Sequence, residues 1–365
     1  MTTQAVTTHA TATPARPYRL PGGVRFGTLA LVAIVLLAFP VVFSNPAVTS
    51  VGVFALIFVL SVSGWNILSG YGGYIALGGA VFFGIGQYTS ALLTIHLKIP
   101  AGWPLFLLLP VAGAVAGLAA FPIGWLLLRV RKHTFIVLTI ASMFIFQLFA
   151  FNLGSITGGS QGLQMPFPGW KGSYFNEPFY YVALFASVIA IFTSWTIRRS
   201  KFGLGLMAIR DDEDRARSLG VHTKSTKLVA FAISAVFMGV AGAIYAPFVG
   251  SIFPQFAFDP TFDLAMAVMA FTGGLGTVAG PVIGALVIES AQQYFLLEFG
   301  GANVFLIVYG ALFVIILRFL PDGIVPSISM RWRRWYDARE RRRLDAVTAN
   351  PPPGRDTVPV TGGRA

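Results

Sequence analysis

The sequence predicts an all-α, polytopic membrane protein, and three observations carry that expectation. Its 365 residues are 55% hydrophobic and only 11% charged, where a soluble domain carries roughly 25% charged residues. The apolar residues fall in long runs, near the 20 or so residues that a helix needs to cross a hydrocarbon core of roughly 30 Å. When those runs are read as successive crossings, 24 of the 26 lysines and arginines lie on one side. A net charge of +12 on so apolar a chain argues against a soluble enzyme that seeks acidic substrates and against a nucleic-acid binder. There is no cysteine, and the four histidines (His9, His96, His133, His222) are far apart, so disulfides, thiolate chemistry and a metal site are not expected.

In chain order, residues 1–25 read as a basic tail, Thr/Ala-rich and disordered over its first part. The membrane domain is expected over 26–320. Its first run, Phe26 to Phe43, has 18 residues, longer than a signal-peptide core of about 7–15. It reads as a retained span, with cleavage after Ala47 as the alternative. Further spans are expected at Ala47 to Leu68, Gly73 to Ile95, Pro104 to Leu128, Thr134 to Phe151, Phe179 to Ile197, Leu228 to Val249 and Val304 to Leu320. The stretch from Leu264 to Leu297 is too long for one span and is interrupted at Gly273, Gly274, Gly276, Gly280 and Pro281. It reads as two tilted helices or as a pair of re-entrant half-helices. Either choice returns the chain to the same side, giving 8–10 spans.

Charge sets the orientation. Only Lys98 and Lys171 fall outside, so the positive-inside rule puts both termini in the cytoplasm. Trp65, Trp125, Trp195, Trp332 and Trp335 then lie near inner ends, and Trp103 and Trp170 near outer ones, as an aromatic belt requires. Two long segments lie outside the bilayer: an external loop over 152–178, rich in turn residues, and a cytoplasmic loop over 198–227. Residues 321–365 form an Arg-rich and then disordered cytoplasmic tail.

The cytoplasmic loop contains RRSKFGLGLMAIRDDEDRARSLGV. Asp211 and Asp212 are placed to cap a short helix. Glu213 and Asp214 fall in its first turn, Arg215 and Arg217 toward its end, and Gly220 where it should stop. Such a helix either docks into a cytoplasmic partner or serves as a solvated connector. Glycine-rich stretches occur in both halves, seven glycines in 17 positions over Gly70 to Gly86 and five in 12 over Gly273 to Gly284. Interrupted hydrophobic segments in both halves point to a transport pathway and an internal repeat; close helix packing is the plainer alternative. On the first reading the pathway candidates are Gly72, Gly73, Gly78, Gly79, Gly273, Gly274 and Gly276, with the polar residues Asn66, Gln87 and Glu289. Gln147, Gln292 and Gln293 are the other polar side chains expected within spans. Glu289 is the one carboxylate expected deep in the membrane, a functional candidate by default, or else a protonated packing residue.

No catalytic constellation emerges. The chain has no Gly-Lys pair and hence no Walker A loop, and neither H-E-x-x-H nor G-x-S-x-G occurs. With at most one intramembrane charge, it does not look like an ion-driven carrier.

At these residues the chain resembles the permease subunits of branched-chain amino-acid ABC importers, specifically the LivM-type subunit. The matching stretches are GWNILSGYGGYIALGGAVFFGIGQY (64–88), ITGGSQGL (156–163), KFGLGLMAIRDDEDRARSLG (201–220), FTGGLGTVAGPVIGA (271–285) and IVYGALFVIILRFLPDGI (307–324), in family order. The resemblance implies a multi-pass permease of the bacterial plasma (inner) membrane that is not itself an enzyme. It also implies a LivH-type second permease, two cytoplasmic ABC ATPases that carry ATP and Mg, and an extracytoplasmic substrate-binding protein. No cofactor or metal is implied on this chain. Arg210, Asp211, Asp212, Glu213, Asp214, Arg215, Ala216, Arg217, Leu219 and Gly220 become the segment received by an ATPase. Two departures leave the cargo open between branched-chain amino acids and urea or amides. Ala76-Leu77-Gly78-Gly79 stands where the family has Ser-Leu-Gly-His, and Lys132-His133-Thr134 where it has Gly-Asp-Tyr. From another class, an autonomous secondary transporter is the alternative.

Overall fold

The computed structural model describes residues 34–43, 45–170 and 172–299, with separate positions between 310 and 338. Residues up to Ser44 form a unit of their own, in which helix α1 covers 34–42. The expected span Val304 to Leu320 and both tails lie wholly or largely outside the described residues, as does the start of the span at Phe26.

In the second unit, α2 (Pro46–Asn66) starts where Asn45 accepts a hydrogen bond from the Ala47 N–H at 3.0 Å and Pro46 presets the first helical residue. It widens into a π-turn over Ile67–Tyr71, after which residues 73–79 run without helix. Helix α3 (Ala80–His96) follows, then a 3-10 turn (Trp103–Leu108), α4 (Leu109–Leu127), α5 (Lys132–Asn152) and a short α6 (Gly154–Thr157). Next come β1 (Leu163–Gln164), α7 (Asn176–Arg199), α8 (Lys201–Asp211), α9 (Glu213–Ser218) and α10 (Thr223–Val249). The described helical part closes with β2 (Ser251–Ile252), α11 (Pro254–Ala257), α12 (Pro260–Gly273) and α13 (Ala279–Phe299).

Five helical stretches among the described residues are long and apolar enough to cross a bilayer: Pro46–Tyr71, Trp103–Leu127, Lys132–Asn152, Asn176–Arg199 and Thr223–Val249. Helices α2 and α10 are the most buried of these. Helices α4, α5 and α7 turn apolar side chains outward, among them Leu118, Val137, Leu148, Phe185 and Phe192, where lipid is the fitting neighbour. Small residues bring α4 against α10: Gly113 and Gly117 lie under Val236 and Val240, and Gly124 under Phe231. In a bilayer, such close backbone approach supplies the van der Waals contact that water exclusion supplies elsewhere.

Two expectations are corrected, and an open one is filled in. The span expected at Gly73 to Ile95 is helical only from Ala80; its first seven residues form no helix, Gly73 opening the break at a φ of +69° that favours glycine. Trp65 is no interface residue. It is 1% exposed and donates its indole N–H to the Ala76 carbonyl at 2.7 Å, holding that extended segment. The stretch from Leu264 resolves into a helical hairpin, in which the 14-residue α12 turns at 274–278 and α13 runs back along it. Gly284 lies against the Met269 carbonyl, and Gly280 against Gly273. The external loop is also tied down: Leu163 pairs with Ile252 and Gln164 with Ser251 in an antiparallel bridge, and Met165 N–H donates to the Gly250 carbonyl at 2.9 Å.

A second carboxylate is buried besides Glu289. Asp263, in the first turn of α12, is 1% exposed. Its two oxygens lie 3.2 Å from the Ala80 N–H, and it also accepts from Gly79. A carboxylate at this point satisfies the free N–H groups of α3 and complements the positive end of its dipole, which fixes where α3 begins. Asp263→Ala should lower the stability of detergent-solubilised protein by about 1–3 kcal/mol, read as a fall in thermal midpoint. Asp263→Asn should lose less, since its amide oxygen still accepts; an unchanged midpoint in the alanine variant would show that α3 starts there for another reason.

Candidate functional site

The loop between α7 and α10 is almost wholly helical. Ser200 breaks α7 and caps α8, its hydroxyl accepting from Gly203 N–H at 3.1 Å. The extended Asp212 then separates α8 from α9. Its Oδ1 accepts from the Asp214 and Arg215 N–H groups at 3.0 Å each, and its Oδ2 meets Arg215 Nε at 3.2 Å. The backbone hydrogen bond from Arg215 is the main influence holding the Asp212 carboxyl below the usual aspartate range. At the other end Gly220 takes a φ of +88°, Val221 N–H returns to the Ala216 carbonyl and Gly220 N–H to that of Arg217, the Schellman closure. So α9 is self-capped as its charges predict, with one adjustment: Asp212 alone is the cap, and Asp211 is the last residue of α8.

The ten residues of the expected coupling segment divide into two faces. Asp211, Asp214, Arg215, Arg217, Leu219 and Gly220 are exposed, Leu219 to 83%. Ala216 is buried, and Glu213 points inward. Its Oε1 accepts from Lys227 Nζ at 2.7 Å and its Oε2 from the Tyr74 hydroxyl, while Lys227 also donates to the Tyr74 oxygen at 3.0 Å. Lys227 is 3% exposed and lies 4.3 Å from the Tyr74 ring centroid. Burial works against the Glu213 carboxylate, but the Lys227 and Tyr74 hydrogen bonds and the neighbouring cations outweigh it and hold its carboxyl below the usual range. Helix α9 is therefore rooted on Tyr74 in the extended segment 73–79 and on Lys227 in α10. From α5, Arg131 pairs with Asp214 at 3.2 Å, and Lys132, at the departure from the family pattern, donates to the Arg210 carbonyl at 2.7 Å.

Arg210 has a second role. Its Nη1 donates to the Gly70 carbonyl at 2.7 Å, and Gly73 packs on its Cα and Cβ. Gly276, with φ +78°, lies where a side chain would strike that guanidinium. Asn66 joins the two breaks directly: its Nδ2 donates to the Thr277 carbonyl and its Oδ1 accepts from Gly276 N–H, both at 2.9 Å. The Asn66 amide thus clamps the π-turn after α2 to the hairpin turn 274–278, and the Arg210 guanidinium ties α8 to that π-turn.

The expected pathway residues fall into four places. Asn66, Gly72, Gly73, Gly273, Gly274 and Gly276 cluster at the clamp, with Gly72 against Leu206 of α8. Gly78 packs on the Thr139 carbonyl of α5, and Gly79 on Met238 and Asp263. Gln87 on α3 is buried near Gly242 with its Nε2 unpartnered, and Glu289 is buried on α13 with Oε1 accepting from Gln293 at 2.8 Å. Tyr74, Lys227 and Asp263 escape a sequence reading. Tyr74 sits in a glycine run, Lys227 looks like one more basic flank, and Asp263 falls one residue before the stretch taken as apolar. Among the described residues no group of three or more His, Cys, Asp or Glu is placed to hold a metal ion.

Comparison with known proteins agrees with this architecture. The sequence model of the branched-chain amino acid transport system / permease component family matches residues 47–317. The high-affinity branched-chain amino acid transport system permease protein LivM of Escherichia coli (strain K12) is 30% identical over 328 residues, covering 82% of this chain and 75% of that protein. The corresponding LivH permease of the same organism is 27% identical over 290 residues, 73% of this chain and 91% of that protein. A probable LivH permease of Methanocaldococcus jannaschii is 26% identical, over 70% of this chain and 78% of its own length. No solved structure matches. A match over 47–317 takes in both broken segments, the clamp that joins them and the capped helix outside: this chain belongs to the permease component family of branched-chain amino acid transport systems.

Proposed function

We propose that this chain is the LivM-type permease subunit of an ABC importer in the bacterial inner membrane, with branched-chain amino acids as its cargo. A LivH-type subunit pairs with it, two cytoplasmic ATPases supply ATP hydrolysis with Mg, and an extracytoplasmic binding protein delivers the solute. The observation that carries this reading is the two-faced loop: α9 and the residues that close it offer charged and apolar side chains outward, while Glu213 of α9 and Arg210 of α8 reach inward to the helix breaks.

In this mechanism an ATPase grips Asp214, Arg215, Arg217 and Leu219. When ATP closes the ATPase pair, α8 and α9 shift together, because Asp212 is the only residue between them. Two connections carry the shift inward. Glu213 moves Tyr74 and with it the segment 73–79 that leads into α3; Arg210 moves the joined turns at Gly70 and Gly276. The two turns share Asn66, so they respond as one element, and ATP binding biases that element between inward-open and outward-open arrangements.

Two expected outcomes separate grip from transmission. In the reconstituted complex, Arg215→Glu with Leu219→Asp should reduce co-purification of the ATPase, because both side chains are on the outer face. Arg210→Ala should leave the complex assembled but lower solute moved per ATP hydrolysed by about tenfold, in line with loss of a charge-assisted hydrogen bond of roughly 1.5–3 kcal/mol. Arg210→Lys should fall between. Full coupling in Arg210→Ala would remove the clamp from the mechanism, and a folded complex that never contains an ATPase would remove the importer. Uptake that stops directly on collapse of ion gradients, with ATP retained, would favour a secondary transporter.

A further inference from the structure

A cavity of about 380 Å3 lies between α2, α3, α10, α12 and α13, within the roughly 300–1,000 Å3 of small-molecule sites. Its apolar wall is aromatic: Phe54 and Phe58 from α2, Phe83 from α3, Tyr245 from α10 and Phe262 from α12. These rings support one another, Phe83 stacking on Phe262 at 4.2 Å and meeting Tyr245 at 5.3 Å. The polar wall is Asp259, Thr261, Glu289, Gln292 and Gln293, and among the described residues no lysine or arginine lines the cavity.

Two acceptors of the polar wall go unmet among the described residues. Glu289 is fully buried, and only Oε1 is engaged, by Gln293. Glu289 Oε2 and Gln292 Oε1 are buried acceptors without a hydrogen-bond partner. Asp259 adds a second carboxylate, one oxygen of which caps α12 through Thr261 N–H at 2.8 Å. A buried carboxylate with a free oxygen and no cation is costly in a membrane protein. A ligand that brings N–H donors and a positive charge removes both deficits, and aromatic faces add cation–π attraction.

We infer that this cavity is a transit site for a primary ammonium group on an apolar body, with Glu289 as the residue that binds the ammonium. The inference deepens the importer reading and rests on it: it names the group on this chain that would favour an amino acid over urea and amides. A neutral urea brings donors but no charge, so it leaves the Glu289 carboxylate without a counter-ion. The carboxylate of an amino acid, lacking any cation in the wall, points toward the mouth.

The test uses the complete transporter in proteoliposomes. Modification of Glu289 by dicyclohexylcarbodiimide is followed by peptide mass spectrometry in the presence of L-leucine, 3-methylbutylamine, 4-methylpentanoate or urea. L-Leucine and 3-methylbutylamine should slow modification at least threefold, and 4-methylpentanoate and urea should leave it unchanged. Glu289→Gln should lower kcat/KM for leucine uptake at least tenfold, whereas Val287→Ala, on the exposed side of α13, should not change it. Protection by neither amine, equal protection by urea or 4-methylpentanoate, or unchanged uptake by Glu289→Gln would overturn the assignment. Absence of ATP-dependent uptake in the wild-type complex would instead overturn the importer reading, because the labelling arms need no ATP.

Discussion

Backbone that leaves the helix inside a membrane protein must still find a partner for every N–H and C=O, since lipid offers none. Residues 73–79 are the place where this constraint presses hardest. Their groups are met by side chains from around the chain: Ser69 Oγ accepts from Ala76 N–H at 3.2 Å, Trp65 donates to the Ala76 carbonyl, and Thr139 Oγ1 accepts from Leu77 N–H at 3.1 Å. Asp263 then receives the chain as α3 begins. The segment is extended because α2, α5 and α12 together supply what a helix would have supplied to itself. Removing any one of these supports leaves an unpaired polar group, so the break is held from several sides at once.

The same constraint explains why a loop outside the bilayer can act on its interior. A helix carries its own hydrogen bonds and can move as a rod, but a break borrows bonds from its neighbours and must follow them. Gly70 borrows from Arg210, Gly276 from Asn66, and Tyr74 is held by Glu213 and Lys227. Arg210 and Glu213 are separated by two residues at the α8–α9 junction, so contacts to both breaks start from one short stretch of chain.

How much of this was legible in the sequence depends on whether the signal was local. The runs that became α2, α4, α5, α7 and α10 were legible because length and hydropathy suffice for a crossing, and the caps of α9 because Asp212 and Gly220 act within a few residues of themselves. The extended path before α3 was not, since GYGGYIALGG is as apolar as a helix and only its distant partners make it a strand-like segment. Trp65 illustrates the limit: a tryptophan near a span end reads as a belt residue until the Ala76 carbonyl, eleven positions away, is seen beneath it. Glu213 illustrates another, because the run Asp211 to Asp214 is four acids by composition and does not show that the third one turns inward to Lys227.

Asp263 and Glu289 show why burial alone does not identify a functional acid. Both are essentially inaccessible and both lie on the α12–α13 hairpin. Asp263 is spent on structure: its oxygens are taken by the N–H groups at the start of α3, and the positive end of that helix stands in for a counter-ion. Glu289 has one oxygen without a donor among the described residues, and a cavity in front of it whose other polar wall atoms include a second free acceptor. Of two carboxylates with the same burial, the one whose hydrogen-bond capacity is complete holds the fold, and the one whose capacity is incomplete is the one with something left to bind.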